Sequence, residues 1–223
     1  MTNVLIIGAH GKIAMLAATR LVAAGHQVSG AIRKPEQSDD VRATGAEPVI
    51  ADVENLSVDE LVDVVDGHDV VVWAAGAGGG SPERTYAVDR DAAIRTIDAA
   101  ARSAVSHFVI VSYFGAGPDH GVPEDSDFFT YAEAKTAADV HLAESDLAST
   151  ILRPSSLTDE PGTGGIEVGD DVKASQVSRA TVADVISAVV AQPHATADLI
   201  LEFNDGEQQV SEVLGIASDP RSN

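Results

Sequence analysis

Val4-Leu-Ile-Ile-Gly8-Ala-His-Gly11-Lys-Ile-Ala14 is the stretch on which the reading of the fold turns. Its apolar start has the length of a strand buried on both faces, and it runs straight into a turn punctuated by glycine. Met15, Leu16, Ala18 and Leu21 then continue with helical spacing. GxxGxxA at such a junction has a physical reason. Small residues let the backbone turn tightly and approach a pyrophosphate, whose charge meets the free amides and positive dipole at the helix start. A tight turn alone would also use glycine, so the triplet gains its weight from standing between an N-terminal strand and a helix.

The same alternation continues along the chain. Strands are predicted at Val4–Ile7, Val28–Ile32, Pro48–Ala51, Val70–Ala74, Phe108–Val111, Thr150–Leu152 and Leu199–Phe203, with helices at about 12–24, 57–65, 82–103, 127–145 and 181–191. Residues 37–45 read as a short helix or a turn. This is the pattern of βαβ units, so the expected fold is α/β: a Rossmann-type, doubly wound parallel sheet with a small C-terminal elaboration. The length of 223 residues fits one domain, with residues 153–223 contributing the substrate side. Three loops follow strand ends, where open parallel sheets bind ligands: Gly76–Pro82, Gly115–Asp127 and Thr158–Gly169.

Composition narrows the partners. Lys and Arg number 14 against 35 Asp and Glu, a net charge of −21 that repels nucleic-acid phosphates and anionic lipid. Asp is favoured over Glu and only 4 of the cations are Lys, a bias shared by salt-adapted cytoplasms and by ordinary acidic proteins. The absence of cysteine excludes disulfides, thiolate metal sites and cysteine nucleophiles. The 7 histidines are scattered singly, so no metal site is expected, and the carboxylates around His120 read as a solvated loop. No GxSxG elbow supports a hydrolase. No run approaches the ~18 to 20 apolar residues of a membrane helix, and the reading is a soluble, cytoplasmic protein without nucleic-acid or membrane partners.

Cofactor contacts are expected first from the turn: Gly8, His10, Gly11, Lys12 and Ile13. At the end of the second strand, where NAD sites usually carry an acid, stands Arg33-Lys34. Two cations there favour a 2′-phosphate and therefore NADP, with NAD the alternative. Asp52, followed by Val53, either accepts from the adenine amine or caps the helix that starts at Ser57. Ala74-Ala75-Gly76 keeps side chains small where ribose and nicotinamide would pass.

Tyr131-Ala-Glu-Ala-Lys135 places a phenol and an ammonium on one helix face, one turn apart. A tyrosine titrates near about 10, and a cation nearby lowers that value, so the pair can deliver a proton to a developing alkoxide. The glycine turn, Arg33, Ser112, Tyr131-x-x-x-Lys135 and Leu152-Arg-Pro154 occur in the order seen in the short-chain dehydrogenase/reductase superfamily. The chain resembles its atypical NAD(P)H-binding branch, which includes flavin and biliverdin reductase-like enzymes and redox sensors. The runs Leu152–Gly164 and Val177–Asp184 extend the resemblance over nearly the whole length.

That resemblance implies an NADP(H)-dependent oxidoreductase acting on a small carbonyl, imine, enone or flavin-like acceptor. Tyr131 would be the general acid, Lys135 would hold the nicotinamide ribose and tune Tyr131, and Ser112 would bind the substrate carbonyl or orient the tyrosine. Pro154 and Ser155 would lie against the nicotinamide carboxamide. The chain departs from the pattern at Ala14, in place of a third glycine, at Tyr113, where relatives commonly have a second serine, and at Asp89, near the place of an active-site asparagine. Trp73, Phe114, Phe128 and Phe129 are candidates for an apolar pocket or for the core. A nucleotide-sugar epimerase or dehydratase retaining NAD, and a non-catalytic redox sensor, are the competing readings. A monomer or homodimer is expected.

Overall fold

Alternate residues of the buried strands face opposite sides of one sheet, and each side finds its own cover. Val4 and Ile6 of the first strand pack into one core, Leu5 and Ile7 into the other. The next central strand repeats this with Val70 and Val72 against Val71 and Trp73. This is why these segments read as unbroken apolar runs. The structure, a computed structural model, describes residues 1–79 and 81–215; Gly80 of the glycine-rich loop lies outside the described residues.

In chain order the strands are β1 (Asn3–Ile7), β2 (Gln27–Ile32), β3 (Glu47–Ile50), β4 (Val70–Trp73), β5 (His107–Val111), β6 (Ser149–Pro154), β7 (Ser156–Thr158), β8 (Gly165–Glu167), β9 (Gln176–Ser178), β10 (Leu199–Asp205) and β11 (Gln208–Gln209). The main sheet has the order β11-β8-β10-β6-β5-β4-β1-β2-β3. Its seven core strands, β3 through β10, are parallel, whereas β8 and β11 are antiparallel at the edge. The Rossmann-type expectation holds, with a mixed edge added. Thr158–Gly169, predicted to be a loop, contains β8, and a separate parallel pair joins β7 to β9.

The helices are α1 (Lys12–Ala23), α2 (Ser38–Ala43), α3 (Val58–Val65), α4 (Pro82–Thr85), α5 (Ala93–Ala101), α6 (Phe129–Ala143), α7 (Arg179–Ala191) and α8 (Val210–Val213). α1 packs on α7 over one face, and α3, α5 and α6 cover the other. Asp184 of α7 receives the Arg20 guanidinium of α1, so it ties two helices together as a structural residue. The single helix predicted over 82–103 is interrupted by a π-helical segment, Tyr86–Ala92. Among the described residues no helix is long and apolar enough to cross a membrane.

Candidate active site

β1 pairs with β2 on one side and β4 on the other, so the strand order reverses between β1 and β4 and opens a crevice at their carboxyl ends. Gly8 sits at that point with φ +81°, and a Cβ there would lie 2.6 Å from the Ala75 Cα. Only glycine permits both the backbone conformation and the close approach. The turn is held by Gly8 and Ala9 amides donating to the Ala31 carbonyl, at 3.2 and 3.0 Å, and by Gly11 donating to Gly8 at 2.8 Å. α1 then begins with no side-chain cap and no acid in its first turn.

Beside the turn lies a cavity of about 400 Å³. It is lined by Gly8, His10, Gly11, Arg33, Asp52, Val53, Ala74, Ala75 and Gly76. These nine predicted residues are thus brought together from four separate strand ends. His10 is fixed by Asp40 at 2.8 Å and Gln37 at 3.2 Å. Asp52 accepts from the Asn55 side chain at 2.8 Å and does not cap α3. Ser57 caps that helix itself, in a reciprocal box with Glu60.

Other residues expected at the cofactor lie outside this cavity. Ile13 lines the neighbouring cavity instead of this one. Lys34 is exposed at the start of a short 3₁₀ turn and does not line this cavity. Lys12 does not line it either: its long side chain reaches Asp159 at 2.5 Å, which Arg179 shares at 2.8 Å. Ser155 is buried, with its hydroxyl 2.6 Å from Asn204 and the Ser175 amide donating to it at 3.1 Å, so it is engaged with the edge of the sheet. Glu54 and Arg84 line the cavity without having been foreseen.

Ala74, Ala75, Gly76 and Gly78 are shared with a second cavity of about 800 Å³, which holds Ser112, Tyr131, Lys135 and Asp89. The two cavities therefore form one trough across the switch point. Tyr131, Lys135 and Asp139 repeat every four residues on α6 and so share its inner face. Lys135, Asp89 and Asp139 are each only 1% exposed. Asp89 sits in the π-helical segment, a distortion often found at functional sites, and accepts the Ala77 amide at 2.9 Å. Asp139 Oδ2 accepts Ser112 Oγ at 2.8 Å and Arg153 Nε at 3.1 Å, while Arg153 also reaches Glu202 at 3.3 Å. Asp139 Oδ1 is buried without a hydrogen-bond partner. The continued four-residue spacing was a usable signal for Asp139; nothing local marked Arg153 as its partner.

The electrostatics overturn the expected downward shift of Tyr131. Burial pushes its phenol above the ordinary tyrosine value, and the charges of Asp89 and Asp139, with Tyr113, push the same way. Burial likewise raises both carboxyls and lowers Lys135, each opposed by the partner's charge. The cation's effect is thus absorbed by two carboxylates. The Ser112 hydroxyl donates its one proton to Asp139, which leaves its lone pairs as acceptors in this arrangement.

A third cavity, about 620 Å³, adjoins the second through Ser112, Tyr131 and Leu157. Pro154 and Ser155 line it together with Tyr113, Phe114 and Phe128. The Tyr113 ring meets Phe128 edge-on at 5.1 Å and Tyr131 at 5.8 Å, so it does enter the pocket. Of the other aromatic candidates, Trp73 is fully buried in the core and Phe129 packs on His120.

A sheet whose ligand trough opens at the switch point behind a glycine turn belongs to the dinucleotide-binding class of α/β proteins. Within that class the chain belongs to the NAD(P)H-binding family, whose sequence profile matches residues 8–193. It is 33% identical over 218 residues to the uncharacterized sugar epimerase YhfK of Bacillus subtilis, covering 95% of this chain and 98% of that protein. A Bacillus halodurans structure assigned as an NAD-dependent epimerase/dehydratase is 31% identical, with a TM-score of 0.88 over 96% of this chain and 99% of that one. The oxidoreductase ylbE of Lactococcus lactis is 26% identical, with a TM-score of 0.82 over 96% of this chain and 95% of its own.

Proposed function

We propose that the protein is an NADP(H)-dependent oxidoreductase that reduces a small carbonyl, imine, enone or flavin-like acceptor, with Tyr131 as the proton donor. The observation that carries this reading is the joined trough, which runs from Gly8 and Arg33 past Ala74–Gly76 to Tyr131 and Lys135. Its lining suits a dinucleotide. Walls of glycine and alanine leave room, Arg33 offers a cation at the end of β2, and added side chains at Gly78 and Gly79 would meet only open space. Gly8, Gly11, Arg33 and Asp52 would hold the adenosine and phosphate half, and Lys135 the nicotinamide ribose. When bound, the reduced cofactor supplies the hydride.

The chain's own residues do the rest. Tyr131 carries its proton at neutral pH, as any tyrosine does, and would give it up to the far more basic alkoxide that develops on the acceptor. The phenolate left behind lies on the same helix face as Lys135, whose charged form is favoured by the nearby charges of Asp89 and Asp139. Ser112, whose hydroxyl donates to Asp139, would orient the phenol from the wall of the same cavity. Pro154 and Ser155 border the acceptor side, and residues 153–223 form with the rest one catalytic unit, as monomer or homodimer. Tyr131→Phe should lower turnover at least about 100-fold in an NADPH-oxidation screen over carbonyl, imine, enone and flavin acceptors, with NADPH affinity unchanged. Equal turnover by the variant would remove Tyr131 from the mechanism.

The names of two relatives favour a second reading, an epimerase or dehydratase that retains NAD. Denaturing the purified protein and measuring released nucleotide separates the two: stoichiometric NAD supports the second, its absence the first.

A further inference from the structure

Glu54 follows β3 in a stretch where the sequence assigns roles to Asp52 and Val53 alone. Its carboxylate lies 3.5 Å from Arg33 Nη1 and 3.5 Å from Arg84 Nε. The three side chains come from the end of β2, the loop after β3 and α4, and all line the first cavity. The bracket is firmly built. Arg95 of α5 donates to the carbonyls of Val53, Glu54 and Leu56 at 3.3, 3.0 and 3.0 Å, and Asn55 donates its amide to the Asp52 carbonyl at 2.9 Å. Arg84 is anchored in turn by donating to the Ala77 carbonyl.

We infer that Glu54 sets the choice between NADPH and NADH, acting as a resident counterion for the Arg33–Arg84 pair that a 2′-phosphate requires. This rests on the reading of the trough as the dinucleotide seat. A phosphate dianion gains from two guanidiniums but meets a carboxylate already placed between them. A ribose bearing free hydroxyls carries no such charge and can donate to the carboxylate. Glu54 therefore opposes NADPH and is neutral or favourable toward NADH. Arg84 becomes the second phosphate-seeking cation, one that no position at the end of β2 would reveal.

The test is fluorescence titration of wild type, Glu54→Gln and Arg84→Met with NADPH and with NADH at one fixed salt concentration. Glu54→Gln keeps the side-chain shape, and Glu54→Ala reads the same charge if the amide disturbs the loop. The ratio of the NADH to the NADPH dissociation constant should rise on the order of tenfold when Glu54 loses its charge, and fall by a similar factor in Arg84→Met. Both nucleotides binding with an unchanged ratio in the Glu54 variants would overturn the role of Glu54 alone. No binding of either nucleotide to wild type would overturn the reading of the trough and this inference together.

Discussion

Tyr131 shows how spacing can place a residue while the fold decides its electrostatics. Spacing put it one turn from Lys135, and both line the second cavity. Burial, joined by two buried carboxylates from different elements, reverses the expected shift, and both are tertiary facts. Absorbance titration of tyrosinate should find Tyr131 ionising above the ordinary tyrosine range, and Asp89→Asn should bring it down by removing a like charge. Lys135→Met should lower folding stability, read by denaturant unfolding, because it removes the cation buried near Asp89 and leaves Asp139 with Arg153 alone. Lys12 is a converse case. A cation in a phosphate turn was legible, but its partner Asp159 lies 147 residues away and no local pattern points to it. Glu54 was illegible for the same reason, since only the folded chain brings the end of β2, the loop after β3 and α4 to one wall.

Elements with strong periodicity were legible and weak ones were not. The parallel strands and α1, α6 and α7 carry long apolar patterns, whereas β8 and β11, of three and two residues, are too short to show one. The π-helical segment leaves no mark in composition, yet it carries Asp89 to the site. Gly8→Val should both destabilise the protein and abolish dinucleotide binding, because φ +81° and the Ala75 backbone 2.6 Å away leave no place for a side chain; thermal unfolding and NADPH titration read the two effects separately. β5 begins with a buried His107 whose Nε2 lies 2.8 Å from Thr150 Oγ1. That hydroxyl gives its proton to the Thr196 carbonyl at 2.7 Å, so the imidazole must donate through Nε2. Burial lowers the His107 value to about 4 from 6.5. The unfolded chain then binds a proton that the folded one refuses, and stability should fall as pH drops from 6.5 toward about 4. His107→Gln should flatten that part of a pH series of denaturant midpoints.

Over the whole molecule, a net charge of −21 acts on every equilibrium the protein takes part in. Self-repulsion opposes the compact state, so the melting temperature should rise as potassium chloride is increased from low to near-molar concentration. The same field repels an anionic cofactor, which makes the local cations at the trough decisive for capture. The most direct test of the account is therefore equilibrium titration of NADPH and NADH, at low and high salt, into wild type and Arg33→Ala. Saturable binding of NADPH that weakens at least about tenfold in the variant is the predicted result. Failure of wild type to bind either nucleotide at both salts would contradict it.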